Sequence, residues 1–432
     1  MKSFKETMIT IQNMGKYLLQ WGLICSLISV CVGSVVAFFL YSLEKVTAWR
    51  GDYPWLILGL PIVGGVFAFL YQRFGKNASG GNNLVIRVAD GSEEPLPLRL
   101  VPLTIFGTIF THLTGGSVGR EGTATQSGGT IAYHVGRLFR LNDLEKQWVV
   151  MCGISAGFSA VFGTPLAGTL FAMEVLVIGQ MRVEAIAPVF TSAFLANAVT
   201  ECFPIHHAHY VMGTVPEMSA SVMMKLFVAA IFFGMLGFLF ERGVQWVKSF
   251  YQRFMTSAVT INIVGGTVVV LMAILFHTNR YLGLSLPMIQ ESFSGSNHPL
   301  DFLGKLLFTS LSLGSGFQGG EVTPLFGIGA SAGSFLHSFL NLPVGFLAAL
   351  GFIGVFAAAT NTPITCFVMG IELFGSDAAI YLLFITIFSY LFSGHNGIYA
   401  SQRLVRPKYW VGQNRMQWHN DDNQRVKKKL ER

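Results

Sequence analysis

Two glutamates stand in glycine-rich stretches that hold little other charge. Glu121 lies in GGSVGREGTATQSGG (Gly115 to Gly129), beside Arg120, after a run from Leu100 to Val118 free of Asp, Glu, Lys and Arg. Glu321 follows the stretch Gly314 to Gly320, which holds no cation at all. Such a carboxylate can carry a proton, and when ionised it competes with anions for the same N–H donors. The flanking glycines, Gly119 and Gly122 around Glu121, leave the side chain room to move and let backbone N–H groups approach an anion. Thr123 and Thr323 each stand two residues after a glutamate; such hydroxyls cap helix starts or donate to an anion. The bland alternative for Glu121 is a helix cap or an ion pair with Arg120. Arg120 itself reads as structural, fixing the loop or neutralising local charge.

These residues are embedded in a chain of 432 residues, 52% hydrophobic and only 12% charged, too apolar for a soluble domain of this size. Tyr17 to Leu43 carries no charged side chain and is long enough to span a bilayer; Val322 to Ile371 is likewise uncharged. The expected class is an all-α polytopic membrane protein. The N-terminal MKSFKETMITIQNMGK lacks the apolar core and cleavage site of a signal peptide and reads as an amphipathic lead-in over residues 1–16. The tail, 403–432, is basic, so both termini are expected on the cytoplasmic side. The net charge of +7 then reports orientation and lipid headgroups, and no nucleic-acid partner is expected. The five cysteines follow no metal or disulfide spacing, and His206, His207 and His209 read as a loop between membrane segments with no partner set for a metal. No cofactor is expected.

The sequence also repeats itself. GTPLAGTLFAMEV (Gly163 to Val175) matches NTPITCFVMGIEL (Asn361 to Leu373), each with Thr-Pro, an apolar run and a glutamate nine residues after the proline, Glu174 and Glu372. Upstream, Glu121-Gly122-Thr123 matches Glu321-Val322-Thr323. Duplicated halves with Gly/Pro-interrupted apolar segments point to a transporter of repeat architecture, here 17–210 and 211–402. The interruptions are then starts of half-helices, whose unpaired N–H groups and positive dipole ends attract anions. Glu174 and Glu372 are read as buried structural carboxyls or as proton carriers.

GREGT followed by ATQSGG, GSGFQGGEVTPLF, the Thr-Pro repeats and SGHNGIYASQ together resemble the CLC family of anion channels and proton-coupled anion antiporters. The resemblance covers nearly the whole membrane chain. It implies two inverted-topology repeats with broken, re-entrant helices, a homodimer with one pathway per subunit, and an anion path where half-helices meet. Tyr399 matches the tyrosine lining that path. Several positions depart from the chloride-type pattern. Asn82 replaces the coordinating serine, Thr123 replaces a proline, Val175 stands where the internal proton-transfer glutamate is expected, and Glu321 and Thr323 are added. These departures resemble the fluoride-exporting clade, which exchanges fluoride for protons in the bacterial inner membrane.

The resemblance therefore implies an anion site built from Asn82, Gly119, Gly122, Thr123, Thr323 and Tyr399, with Glu121 and Glu321 handling protons. Fluoride is small and strongly hydrated, so compact amide, hydroxyl and N–H donors must replace its water. Ionised Glu121 is expected to occupy the anion path and to leave it on protonation. Because Val175 holds no proton, Glu121 must itself reach the inner side and hand its proton over near Glu321. A chloride/proton antiporter and a passive anion channel of the same fold are the alternatives; Asn82 and Glu321 argue against the first, the acidic side chain in GREGT against the second. No nucleophile–base arrangement or helical metal motif suggests an enzyme.

Overall fold

The computed structural model describes residues 2–205 and 207–409, with side chains from Met14 onward. The basic residues after Tyr409 and His206 therefore lie outside the described residues. The first helix, α1 (Lys2–Asp52), runs unbroken from the N-terminal lead-in through the first apolar segment. The first half continues through α2 (Leu60–Leu70), α3 (Gly81–Ala89), α4 (Leu100–Leu113), α5 (Glu121–Gly136), α6 (Asp143–Phe162), α7 (Pro165–Glu174) and α8 (Ile186–Glu201). The second half holds α9 (Ala220–Phe254), α10 (Ala258–Leu275), α11 (Leu286–Ser294), α12 (Asp301–Gly314), α13 (Val322–Leu340), α14 (Val344–Thr360), α15 (Pro363–Phe374) and α16 (Ala379–Phe392). Two short parallel strands, β1 (Val177–Ile178) and β2 (Arg403–Leu404), tie the segment after α7 to the end of the described chain.

Five helical segments are long and apolar enough to cross a membrane: Met14–Asp52, Pro54–Ala89, Val183–Glu201, Ala220–Phe254 and Ala258–Leu275. Several of the others are much shorter. At about 1.5 Å of rise per residue, α7 with 10 residues and α15 with 12 reach only about half of a bilayer's hydrocarbon thickness. Both begin with proline at the first helical position, where the missing N–H costs nothing.

The two halves pack in the same way. In the first, α5 lies on α6 with Gly128 and Gly153 backbone to backbone; in the second, α13 lies on α14 with Gly329 and Gly351 in the same relation. A side chain at any of these four positions would collide with a carbonyl of the facing helix, so glycine is what permits the crossing. The core between them is apolar and continuous, with Phe158, Phe346, Phe352 and Phe356 nearly or fully buried.

The glycine-rich breaks bring helix starts of the two halves together. Those of α5 and α13 are joined by an antiparallel backbone pair: Gly119 N–H donates to Gly320 O at 2.6 Å, and Gly320 N–H to Gly119 O at 2.8 Å. This pair relates Glu121, two residues after Gly119, to Glu321, one residue after Gly320.

Candidate functional site

The Glu121 side chain crosses that junction. Its carboxylate accepts from the N–H of Val322, from the N–H of Thr323 at 3.2 Å and from the Thr323 hydroxyl at 3.0 Å, all at the start of α13. Its own loop adds a fourth donor, the Arg120 N–H at 2.9 Å. The residue is 1% exposed. A carboxylate is an acceptor only, so these donors complement the ionised form. Three N–H groups and a hydroxyl at a helix start equally complement a small anion.

Glycine makes this placement possible. A Cβ at Gly320 would overlap the Glu121 carboxylate, and one at Gly119 would lie 2.6 Å from its Oε2. The glycine-rich motif therefore leaves the carboxylate its volume, beyond any need for an unusual backbone angle.

Asn82 and Tyr399 come together with Val175 and Thr125 around a small, largely apolar cavity. Asn82 is held by Thr125, whose hydroxyl donates to Asn82 Oδ1 at 3.0 Å. Its amide faces the first turn of α5: a Cβ on Gly122 would lie 2.9 Å from Asn82 Nδ2 and 3.1 Å from the Gly320 Cα. Tyr399 is 5% exposed and packs edge-on to Phe171. Thr125 is a member of this cluster that sequence reading did not single out; its place one helical turn after Glu121 was the available signal.

Thr123 points elsewhere. Its hydroxyl pairs with that of Thr108 at 2.6 Å, which leaves Thr323 as the threonine that meets the Glu121 carboxylate. Glu321 occupies the N-cap position of α13 without a capping bond from its side chain, and it is partly exposed. Arg120 touches Glu121 through its backbone. Its Nε is buried with no partner among the described residues, and the side chain lines a second cavity with Tyr210 and Thr323.

Glu174 and Glu372 are placed by reciprocal contacts. The Glu174 carboxylate accepts from Ile364 N–H at 3.1 Å, Thr365 N–H at 2.8 Å and the Thr365 hydroxyl at 2.6 Å, at the start of α15. Glu372, near the end of α15, accepts from Leu166 N–H at 2.8 Å and Ala167 N–H at 2.7 Å, at the start of α7. These bonds hold each carboxylate at a helix start of the other repeat. Lys305 in α12, a charge that no local pattern singles out, is fully buried. Its ammonium meets four oxygens, none a carboxylate: Ser117 Oγ at 3.0 Å, Tyr281 O at 3.1 Å, Gly283 O at 2.7 Å and Ser285 Oγ at 2.9 Å. It ties the loop before Glu121 to the turn before α11.

Residues 63–394 match the family described as voltage gated chloride channel. The chain is 42% identical to a chloride/fluoride channel protein of Pseudomonas syringae pv. tomato, over 91% of this chain and 88% of that one. It is 26% identical to the H(+)/Cl(-) exchange transporter ClcA of Vibrio cholerae, over 85% and 86%. Its fold superposes on the crystal structure of a CLC-type fluoride/proton antiporter with a TM-score of 0.86 and 37% identity, over 90% of this chain and 98% of that one.

Proposed function

We propose that this chain, which belongs to the voltage gated chloride channel family, is a secondary transporter that exports fluoride in exchange for protons. A multi-pass membrane transporter rather than an enzyme is what the family match and the structural neighbour indicate. The observation that carries the antiport reading is the Glu121 carboxylate resting on the N–H groups of Val322 and Thr323 and the Thr323 hydroxyl. A side-chain anion seated on those donors excludes a free one, and protonation removes the charge that seats it. Ionised Glu121 and fluoride therefore replace each other at one place, and exchange follows when the protonated side chain carries its proton one way while fluoride takes the vacated place in the other direction.

In this reading fluoride passes between the Thr323 donors and the Asn82–Tyr399 cavity, whose hydroxyl and amide donors suit a strongly hydrated ion. Val175 lines that cavity and offers no proton site, so Glu121 itself carries the proton toward Glu321. The working unit is a homodimer with one pathway per subunit, both termini cytoplasmic, in the bacterial inner membrane. Fluoride and protons are its partners along with the bilayer.

The test uses the purified chain in liposomes loaded with fluoride, with a fluoride electrode and external pH recorded together. Fluoride efflux must draw protons inward against no other driving force. Efflux without any pH change would replace this reading with a passive channel, and equal chloride efflux would replace it with a chloride antiporter.

A further inference from the structure

Glu321 sits half-buried at the junction, and no hydrogen bond holds its carboxylate among the described residues. A carboxylate left in this state inside a membrane protein needs water or a proton route. Glu321 does not line the Asn82–Tyr399 cavity. A further, larger space of about 440 Å³ is lined by Lys76, Lys248, Gln252, Asn262, Ser315 and Gln318 among others. The two cavities share no lining residue.

Two residues connect this space to Glu321, which does not itself line it. Gln318, on its wall, is in the same short segment, three residues before Glu321. Lys248, also on its wall, lies within electrostatic reach of the Glu321 carboxylate. The lining is rich in amides, hydroxyls and ammonium groups, so water filling it finds the two to four polar partners that an ordered water requires. Lys76 and Lys248, with nearby Arg73 and Arg253, also mark its open side as cytoplasmic.

We propose that this cavity between α2, α9 and α10 is the inner proton exit, a water-filled route from Glu321 to the cytoplasm separate from the fluoride path. The inference rests on the fluoride/proton reading. Protonated Glu121 gives its proton to the Glu321 carboxylate. The O–H bond of Glu321 then breaks, the electron pair stays on the carboxylate, and the proton passes to a water, which leaves through the cavity as hydronium. The Lys248 ammonium supplies the counter-charge for the carboxylate left behind. Separation keeps an outgoing fluoride and an incoming proton from meeting in one narrow passage.

The experiment plugs the cavity at residues that touch neither carboxylate. Gln318→Leu and Asn262→Leu, in liposomes beside the parent, should slow fluoride-driven proton uptake by at least about tenfold. Calorimetric fluoride affinity should move by less than about twofold, since no donor to the anion is altered. Gln252→Cys covers the case of misfolding: it folds first and is then blocked by a bulky membrane-impermeant thiol reagent applied to the lysine-bearing face, with the parent and its native cysteines as control. A parent that moves fluoride without protons defeats the antiport reading and the route with it. A coupled parent with unaffected variants and an unaffected blocked cysteine overturns the route alone. So does a loss of fluoride affinity that matches the loss of flux, because the cavity would then be the anion's own vestibule.

Discussion

Glu174 and Glu372 each cap the start of the helix that carries the other. Glu174 lies at the end of α7 and binds the first N–H groups of α15, while Glu372 lies near the end of α15 and binds those of α7. The relation is a two-fold exchange between the repeats. Glu121 and Glu321 occupy equivalent places at the next pair of helix starts, yet only Glu121 crosses over. A symmetric pair supports a frame, and the broken symmetry at Glu121 is what the proposed moving carboxylate requires.

The first prediction follows from that contrast. Glu121→Gln keeps the side chain's size but places an amide with its own N–H donors against N–H donors, and it cannot exchange a proton. Proton uptake driven by a fluoride gradient should fall to background in a pH-recorded liposome assay. Coupled uptake that survives the change would remove Glu121 from the mechanism.

Glu174→Gln should act on stability instead. The amide oxygen can still accept one bond, while the remaining donors at Ile364 and Thr365 lose their anion, at a cost of about 1–3 kcal/mol. A lower thermal midpoint in detergent, with the proton-to-fluoride ratio of the surviving protein unchanged, is the expected pair of results. An altered ratio at unchanged stability would make Glu174 a proton carrier.

How far the sequence foretold this arrangement depends on the distance over which each contact acts. The repeat was legible because Thr-Pro and a glutamate nine residues on are local patterns, and the uncharged runs gave the membrane class directly. The partners of Glu174 and Glu372 were not, since Glu174 meets Thr365 across 191 positions and no local pattern names a partner that far away. Thr123 and Thr323 have the same spacing from their glutamates, but only three-dimensional packing sends one hydroxyl to Thr108 and the other to Glu121. Lys305 escaped notice because its partners are backbone carbonyls and serines, which have no signature in sequence.

Selectivity gives the third prediction. Asn82 stands where chloride-type members have serine, and Thr125 holds its Oδ1 so that the amide N–H₂ is turned toward the start of α5. A compact N–H donor favours the ion with the strongest hydrogen-bond acceptance, which is fluoride. Fluoride efflux should exceed chloride efflux under matched gradients, and Asn82→Ser should narrow the ratio. Comparable efflux of the two ions by the parent would place the chain with the chloride antiporters.

The last prediction separates the two residues that most distinguish this chain from the chloride pattern. Thr323 donates its hydroxyl to the Glu121 carboxylate, and the backbone N–H groups of Val322 and Thr323 donate alongside it. Removing that hydroxyl in Thr323→Val deletes one of several donors, a loss of about 1 kcal/mol net, so transport should slow severalfold and remain coupled. The Glu321 carboxylate meets no hydrogen-bond donor among the described residues, so a purely space-filling role predicts that Glu321→Gln leaves coupled flux intact. A role as the acceptor of the Glu121 proton predicts that the same change cripples turnover while the size-exclusion profile stays that of the parent. We expect the second outcome, with fluoride and proton flux falling together. Parent-like flux in Glu321→Gln would show that the carboxylate is structural, and the proton would then have to leave Glu121 without its help.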